Sequence, residues 1–177
     1  MALPVGHAAV GVAAAAVTAR LIGTDPVPAL WIGATIASGL PDLDMMAMVF
    51  GFRGPRVHRN ATHSLLVLAV VSLGGWFLID GARWAVDPGI RWAWIAALFT
   101  HPILDVATTS PRVAARGFGI PLLWPISRRR FAARRPVMET LEVETCRSWA
   151  GLWEGLRPEF TRLASVSGLI VLLTLVF

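Results

Sequence analysis

Long apolar stretches constrain this chain more than any other feature of its sequence. Each stretch is close to the roughly 20 residues that a helix needs to cross about 30 Å of hydrocarbon. There are four or five of them, which run approximately over residues 5–23, 28–50, 63–80, 90–108 and 159–177. The first is rich in Ala and Gly, which favours close packing between membrane helices. It also lacks a basic leading region, so we interpret it as a retained helix rather than a signal peptide.

The composition agrees with a membrane protein. Apolar residues make up 55% of the 177 residues, charged residues 15%, and the mean hydropathy is +0.63. Soluble domains carry about a quarter charged residues, so a soluble globule, a disordered chain and a coiled coil are excluded. The single Cys146 excludes an internal disulfide and a zinc site built from cysteines. We predict an all-α fold, a polytopic transmembrane helical bundle of about five membrane segments, in a single domain over residues 1–177.

The distribution of arginine orients the predicted bundle. The net charge is +5, and all sixteen basic residues are Arg. With the N-terminus in the cytoplasm, segments 51–62 and 109–162 are cytoplasmic and hold thirteen Arg, whereas the other side holds Arg20, Arg83 and Arg91. Basic residues concentrate on the cytoplasmic side of membrane proteins. The sequence therefore predicts a multi-pass protein of a bacterial or archaeal inner membrane, with its N-terminus inside.

Segment 109–158 is the one sizeable part outside the predicted membrane segments. The motif-bearing core, residues 5–125, ends here in the Pro- and Gly-punctuated GIPLLWP, which is typical of a loop or a re-entrant piece. Residues 126–158 then contain the basic RRRFAARRP and a stretch that is typical of an amphipathic interfacial helix. The basic run is either a topology anchor or a site for anionic lipid headgroups. We expect no nucleic acid partner, because the run is short and lies beside a membrane.

Ionisable residues lie in compact motifs inside or at the ends of the apolar segments. Such residues cost about 2.5–3.5 kcal/mol each at membrane depth and mark functional sites. The motifs are GH, LPDLD, HRNATHS and HPILD, and they contain His7, Asp42, Asp44, His58, His63, His101 and Asp105. With the N-terminus inside, all four motifs lie near the cytoplasmic side. Their convergence at one depth predicts an active site on that side.

The spacing of these residues favours a divalent metal site. His101 and Asp105 are four residues apart, so on a helix they face the same side. Pro41 precedes Asp42 and Asp44, and we expect the helix to break there and turn both carboxylates inward. His and Asp without Cys suit Zn²⁺ first, with Mn²⁺ and Fe²⁺ as alternatives. Seven candidate ligands exceed the need of one ion, so we predict two ions bridged by a carboxylate such as Asp105 or Asp44.

At these motifs the sequence resembles the YdjM-like family of inner-membrane, metal-dependent hydrolases, some described as LexA-regulated. The N-terminal GH, LPDLD, HRNATHSLL, FTHPILD and GIPLLWP carry the resemblance over about residues 6–125. Two departures are Asn60-Ala61, where a Gly-aromatic pair is common, and Met45, where a polar residue is frequent. The order of motifs is distantly similar to zinc-dependent phospholipase C and the single-strand-specific zinc nucleases. No His follows His101, so the later ligands of those enzymes have no counterpart.

Together these features predict a membrane-bound, metal-dependent hydrolase that cleaves a phosphoester, with a membrane lipid as the partner. Asp44 and His58 are the candidates for catalytic roles, with His58 either a ligand or the general acid. Arg59 is a candidate for binding phosphate. Thr62 and Ser64 would either cap the following helix or hydrogen-bond a phosphate oxygen. Leu122 and Trp124 in GIPLLWP would form an apolar wall for an acyl chain or merely a kinked loop.

Two other functional classes remain open at this stage. A metal-independent lipid phosphatase would use the HxxxD pattern of His101 and Asp105, but the basic motif of that family precedes HxxxD, whereas RRRFAARRP follows it. A metal transporter or a membrane scaffold would need no hydrolytic site. A transporter typically has internal repeats with a binding site at the midplane, and the sequence has neither signal. The oligomeric state is left open.

Overall fold

The computed structural model describes residues 4–44, 60–82, 84–138, 153–154 and 157–176, and these residues form an all-α protein. The five longer helices are α1 (Pro4–Ile22), α2 (Pro28–Gly39), α3 (Leu65–Gly81), α4 (Pro88–Thr108) and α5 (Ser165–Val176). Short 3₁₀ helices cover Leu40–Asp44 and Ala61–His63, and π-helical turns cover Ala114–Phe118 and Glu159–Ala164. The all-α prediction is confirmed.

Proline and glycine set the helix ends. Pro28 and Pro88 open α2 and α4, and the Asp87 carboxylate caps α4 by accepting from two backbone N–H groups. α1 ends at Ile22 and is followed by Gly23, whose φ of +72° lets the Thr24 N–H reach back to the Ala19 carbonyl.

The second apolar stretch is not one continuous helix in the structure. We predicted a segment over residues 28–50, but α2 ends at Gly39 and the chain tightens into the 3₁₀ helix Leu40–Asp44. Pro41 has no N–H to continue the α-helical ladder, and the N–H of Leu40 donates to the carbonyl of Ala37, three residues back. The predicted break at Pro41 is thus confirmed, and residues 45–50 lie outside the described part of the chain.

Small residues bring the central helices close together. α1 packs against α2, α4 and α5, and the buried core includes Ala15, Ala34 and Ala93. A Cβ on Gly11 would lie only 2.4 Å from Cβ of Ser38, so glycine is required where α1 crosses α2. This contact helps to position the candidate metal site, because α1 and α2 both contribute residues to it.

The outer faces of the bundle are apolar and exposed. α3 has one buried residue, Leu68, while side chains such as Leu73, Phe77 and Leu78 are exposed. A surface of this kind is unstable in water and is typical of contact with lipid. By length and composition, α1 is the one helix among the described residues that could cross a membrane, and Leu65–Gly81 and Phe160–Val176 are shorter apolar helices. The prediction of five membrane segments is therefore not confirmed.

The chain after α4 returns to the end of the bundle that holds the candidate site. The backbone of Ala133 donates to the carbonyls of Val106 and Thr109, and Val137 donates to Ala107. The buried Met138 packs with Leu104. The basic run is therefore held against the C-terminal end of α4, with most of its guanidinium groups exposed. The predicted amphipathic helix falls largely on residues 139–152, outside the described residues.

Candidate metal centre

Four ionisable side chains meet beside the end of α2 and the start of α3. His101 and Asp105 lie one turn apart on α4, Asp42 lies in the 3₁₀ helix after α2, and His63 ends the 3₁₀ helix before α3. His63, His101 and Asp105 are fully buried, and the Asp42 side chain is 13% exposed. Three of the four sequence motifs thus contribute side chains to one compact cluster. His7, from the fourth motif, lies beside this cluster on α1.

The distances in this cluster match a shared cation better than hydrogen bonds. Nε2 of His63 lies 3.3 Å from Oδ2 of Asp105 and 3.7 Å from Oδ1 of Asp42. Nε2 of His101 lies 3.4 Å from Oδ1 of Asp42 and 3.9 Å from Oδ2 of Asp105. Hydrogen bonds from N–H to oxygen are usually about 2.7–3.2 Å long. Two ligand atoms that bind a tetrahedral zinc ion at roughly 2.0–2.1 Å are about 3.4 Å apart.

The tautomer of His101 leaves Nε2 available as a ligand. Nδ1 of His101 lies 2.6 Å from the backbone carbonyl of Ser38. A carbonyl can only accept, so Nδ1 carries the proton and the lone pair of the neutral ring is on Nε2. Within the described residues, this buried Nε2 makes no hydrogen bond. A histidine that donates through one nitrogen to a carbonyl and presents the other is typical of a metal ligand.

His63 is oriented by a hydroxyl and a carboxylate. The hydroxyl of Thr62 donates to Oδ2 of Asp44 over 2.6 Å and lies 3.0 Å from Nδ1 of His63. Because its single proton goes to the carboxylate, the hydroxyl accepts from Nδ1, which therefore carries a proton. Asp44 Oδ2 is itself 3.5 Å from Nδ1. His63 thus turns Nε2 toward Asp42 and Asp105, in the same direction as His101.

Charged and neutral groups alternate in the cluster. The carboxylates of Asp42 and Asp105 both face Nε2 of His63 and Nε2 of His101. A divalent ion between them would be held by two anionic oxygens and by imidazole nitrogens, which bind metals in their unprotonated form.

His7 begins a second group around the same aspartate. Nε2 of His7 lies 3.6 Å from Oδ1 of Asp105, the oxygen opposite the one that faces His63. The His7 ring stacks on His101 with centroids 3.7 Å apart. His7, His101 and Asp105 therefore form one candidate ligand group, and Asp42, His63 and His101 form another. One Nε2 lone pair binds one ion, so the described residues complete a single site and provide only part of a second.

Comparison with known proteins places the chain in a family. A model described as YdjM inner membrane protein matches residues 1–177. The chain belongs to the YdjM inner membrane protein family. No curated protein and no solved structure matches it significantly. The distant similarity to zinc phospholipases and nucleases is thus not confirmed, whereas the resemblance to the YdjM family is confirmed and makes this a membrane protein.

Three predicted residues of this YdjM-family chain lie beside the cluster rather than in it. Asp44 was a candidate ligand and catalytic group, but the structure places it behind His63, on the Nδ1 side. The hydroxyl of Thr62 lies between them, within hydrogen-bond distance of Asp44 Oδ2 and of His63 Nδ1. Ser64 occupies the N-cap position of α3 without capping it, because its hydroxyl donates to the carbonyls of Leu122 and Trp124. Ser64 therefore anchors the GIPLLWP loop to α3.

The remaining predicted residues lie away from the cluster or outside the described chain. Leu122 and Trp124 are half-buried, and their backbone carbonyls hold the start of α3. His58 and Arg59 lie outside the described residues. Ser38 orients His101 through its backbone carbonyl, a role that was not predicted from the sequence. A role played by a backbone carbonyl cannot be recognised from the type of residue. Gly11, which lies opposite Ser38, does show that the two helices are in close contact there.

Proposed function

We propose that this protein is a metal-dependent hydrolase that cleaves the phosphoester of a membrane lipid or a lipid-linked substrate. The observation that carries the proposal is the convergence of Nε2 of His63 and of His101 with carboxylate oxygens of Asp42 and Asp105 at 3.3–3.9 Å. Both nitrogens face inward because both Nδ1 atoms contact other groups. An apolar, buried position is costly for these groups unless a cation balances them.

Each residue has a distinct role in the proposal. His63, His101, Asp42 and Asp105 would hold Zn²⁺, with Mn²⁺ or Fe²⁺ as alternatives. A bound ion would polarise a phosphoryl oxygen and lower the pKa of a water molecule to near neutrality. Asp44 and Thr62 would position His63, and their loss would weaken the site indirectly. His7 and the second oxygen of Asp105 would supply part of a second site, which would need a further ligand from outside the described residues to bind an ion tightly.

The residues outside the described chain keep their predicted roles in this proposal. His58 would serve as a ligand or as the general acid that protonates the leaving oxygen. Arg59 would bind the phosphate charge. We further propose five membrane segments with the N-terminus and the site at the cytoplasmic side of the inner membrane. The exposed apolar faces of α3 and α5 and the exposed arginines after α4 support this orientation.

The test combines metal analysis with hydrolysis. Purified wild-type protein should contain at least one Zn²⁺, Mn²⁺ or Fe²⁺ per chain, and it should release phosphate-containing products from phospholipid vesicles in a chelator-sensitive way. His101→Ala should lose both the metal and the activity. Asp25→Ala is the matched control, because Asp25 is exposed in the loop before α2, away from the cluster. Metal content that survives His101→Ala would contradict the proposal.

The same measurements separate the two other classes. A metal-independent phosphatase would retain activity with chelator, but the 3.9 Å between His101 Nε2 and Asp105 Oδ2 is too long for the hydrogen bond that orients a nucleophilic histidine. A transporter would carry metal into sealed vesicles without releasing product from phospholipid. Neither alternative has a specific observation in its favour.

A further inference from the structure

An apolar groove runs along the outside of the bundle between α2, α3 and α4. Its volume is about 350 Å³, and its walls include Ile36, Val71, Ile79, Trp94 and Ile95. Ile36 and Val71 are at least half exposed, so the groove opens sideways between helices toward the surface that we assign to lipid. The groove is therefore accessible from the bilayer rather than from water.

One end of the groove adjoins the metal centre. Leu40 lines the groove and opens the 3₁₀ helix that carries Asp42. Leu98 also lines it and lies one turn before His101 on α4. The groove and the candidate ligands therefore lie on neighbouring residues of the same two stretches of chain.

Arg91 lines the opposite end of the groove. The guanidinium of Arg91 pairs with Asp80 at the end of α3 and lies 5.1 Å from the ring of Trp76. Arg91 is ten residues before His101, which on a helix corresponds to about 15 Å, so the groove extends along α4 away from the candidate ligands.

From this geometry we infer that the groove holds an acyl chain of a phospholipid whose phosphate lies at the metal centre. The inference rests on the proposed function for the role of the phosphate, but it concerns the chain-binding surface. It differs from the sequence prediction, which placed the acyl wall at Leu122 and Trp124. Those residues do not line this groove.

Two adjacent glycines of α3 provide a matched pair of variants. Gly75 lines the groove, Gly74 does not, and a Cβ at either position would meet no atom within 4 Å. Gly75→Trp should therefore place a large ring in the groove from a position whose Cβ meets no other atom. Gly74→Trp adds the same side chain to the same helix but leaves the groove open.

The experiment uses phosphatidylglycerol with a photoreactive diazirine in its acyl chain, mixed into nanodiscs that hold the full-length protein. After irradiation, mass spectrometry of peptides compares adducts on groove residues with adducts on the exposed Leu172 and Leu173 of α5, which contact bulk lipid. In wild type, groove adducts should exceed α5 adducts severalfold. Gly75→Trp should reduce groove adducts at least fivefold, and Gly74→Trp should leave them unchanged.

Three results would overturn the inference. They are equal labelling of the groove and α5 in wild type, unchanged groove labelling in Gly75→Trp, and equal losses in both tryptophan variants. The wild-type comparison decides the matter even if a variant fails to fold. Metal content is measured on the same samples. Groove labelling without bound metal would contradict the proposed function but support the groove as a binding surface for acyl chains. Bound metal without groove labelling would contradict the acyl-chain inference and leave the proposed function intact.

Discussion

Replacing Thr62 with valine should weaken zinc binding about tenfold without removing a ligand atom. Valine has nearly the shape of threonine but lacks Oγ1, so the variant loses the 2.6 Å bond to Asp44 and the 3.0 Å contact with Nδ1 of His63. His63 then has less to hold its Nε2 toward the site. Loss of such an orienting partner typically lowers metal affinity by about 10–100-fold.

The structure indicates the lower end of that range. The bond from Thr62 to Asp44 involves a charged acceptor, and such bonds contribute about 1.5–3 kcal/mol. Asp44 Oδ2 already lies 3.5 Å from Nδ1 of His63, so a small shift would let the ring donate to the carboxylate directly. This new bond would offset part of the loss. The net cost should be about 1.4 kcal/mol, which is a factor of ten in the dissociation constant.

Competition with a fluorescent zinc chelator measures this change on protein purified in detergent. Thr62→Ser keeps the hydroxyl and should bind zinc like wild type. Thr100→Val is the matched control, because Thr100 is next to His101 but its hydroxyl bonds to the Ala97 carbonyl of its own helix. The reasoning would be refuted if Thr62→Val bound zinc as tightly as wild type, or if Thr62→Ser were weakened as much as the valine variant.

Three further predictions follow from the same geometry. Asp42→Ala should abolish zinc binding, whereas Asp44→Ala should weaken it about 10–100-fold, and chelator competition on both variants checks the order. Zinc competes with protons for its histidine ligands, so zinc affinity should fall as the pH is lowered, and a pH-independent affinity would argue against His63 as a ligand. Gly11→Ala should lower the free energy of unfolding by about 1–3 kcal/mol through overpacking against α2, while Gly74→Ala should not, as thermal melting would measure.

The sequence was sufficient to predict the features that depend on local spacing. The spacing of four positions from His101 to Asp105 is enough to place both on one face of a helix, and the structure has them on α4. Pro41 is enough to predict that the helix breaks before Asp42. Both features follow from the periodicity of the helix and from the missing N–H of proline, so neither needs knowledge of the tertiary packing.

Roles that depend on the direction in which a side chain points could not be predicted from local spacing. Asp42 and Asp44 are two residues apart in a short 3₁₀ helix, where the side to which each carboxylate turns depends on what packs against it. Their roles differ because of the position of His63, which presents Nε2 to Asp42 and Nδ1 to Asp44. Ser64 is similar, because its partners Leu122 and Trp124 are about sixty residues away along the chain.

Charge balance bears on how many ions the described cluster can hold. A divalent cation with the carboxylates of Asp42 and Asp105 and the neutral rings of His63 and His101 has a net charge of zero, which suits a buried position. A second divalent ion would gain only His7, which is neutral, and an oxygen of Asp105 whose charge is already balanced. Unless residues outside the described chain supply a further anionic ligand, the second ion would remain uncompensated. We therefore expect about one tightly bound ion per chain after dialysis, unchanged in His7→Ala, and a ratio near two in wild type would mean that such a ligand is present.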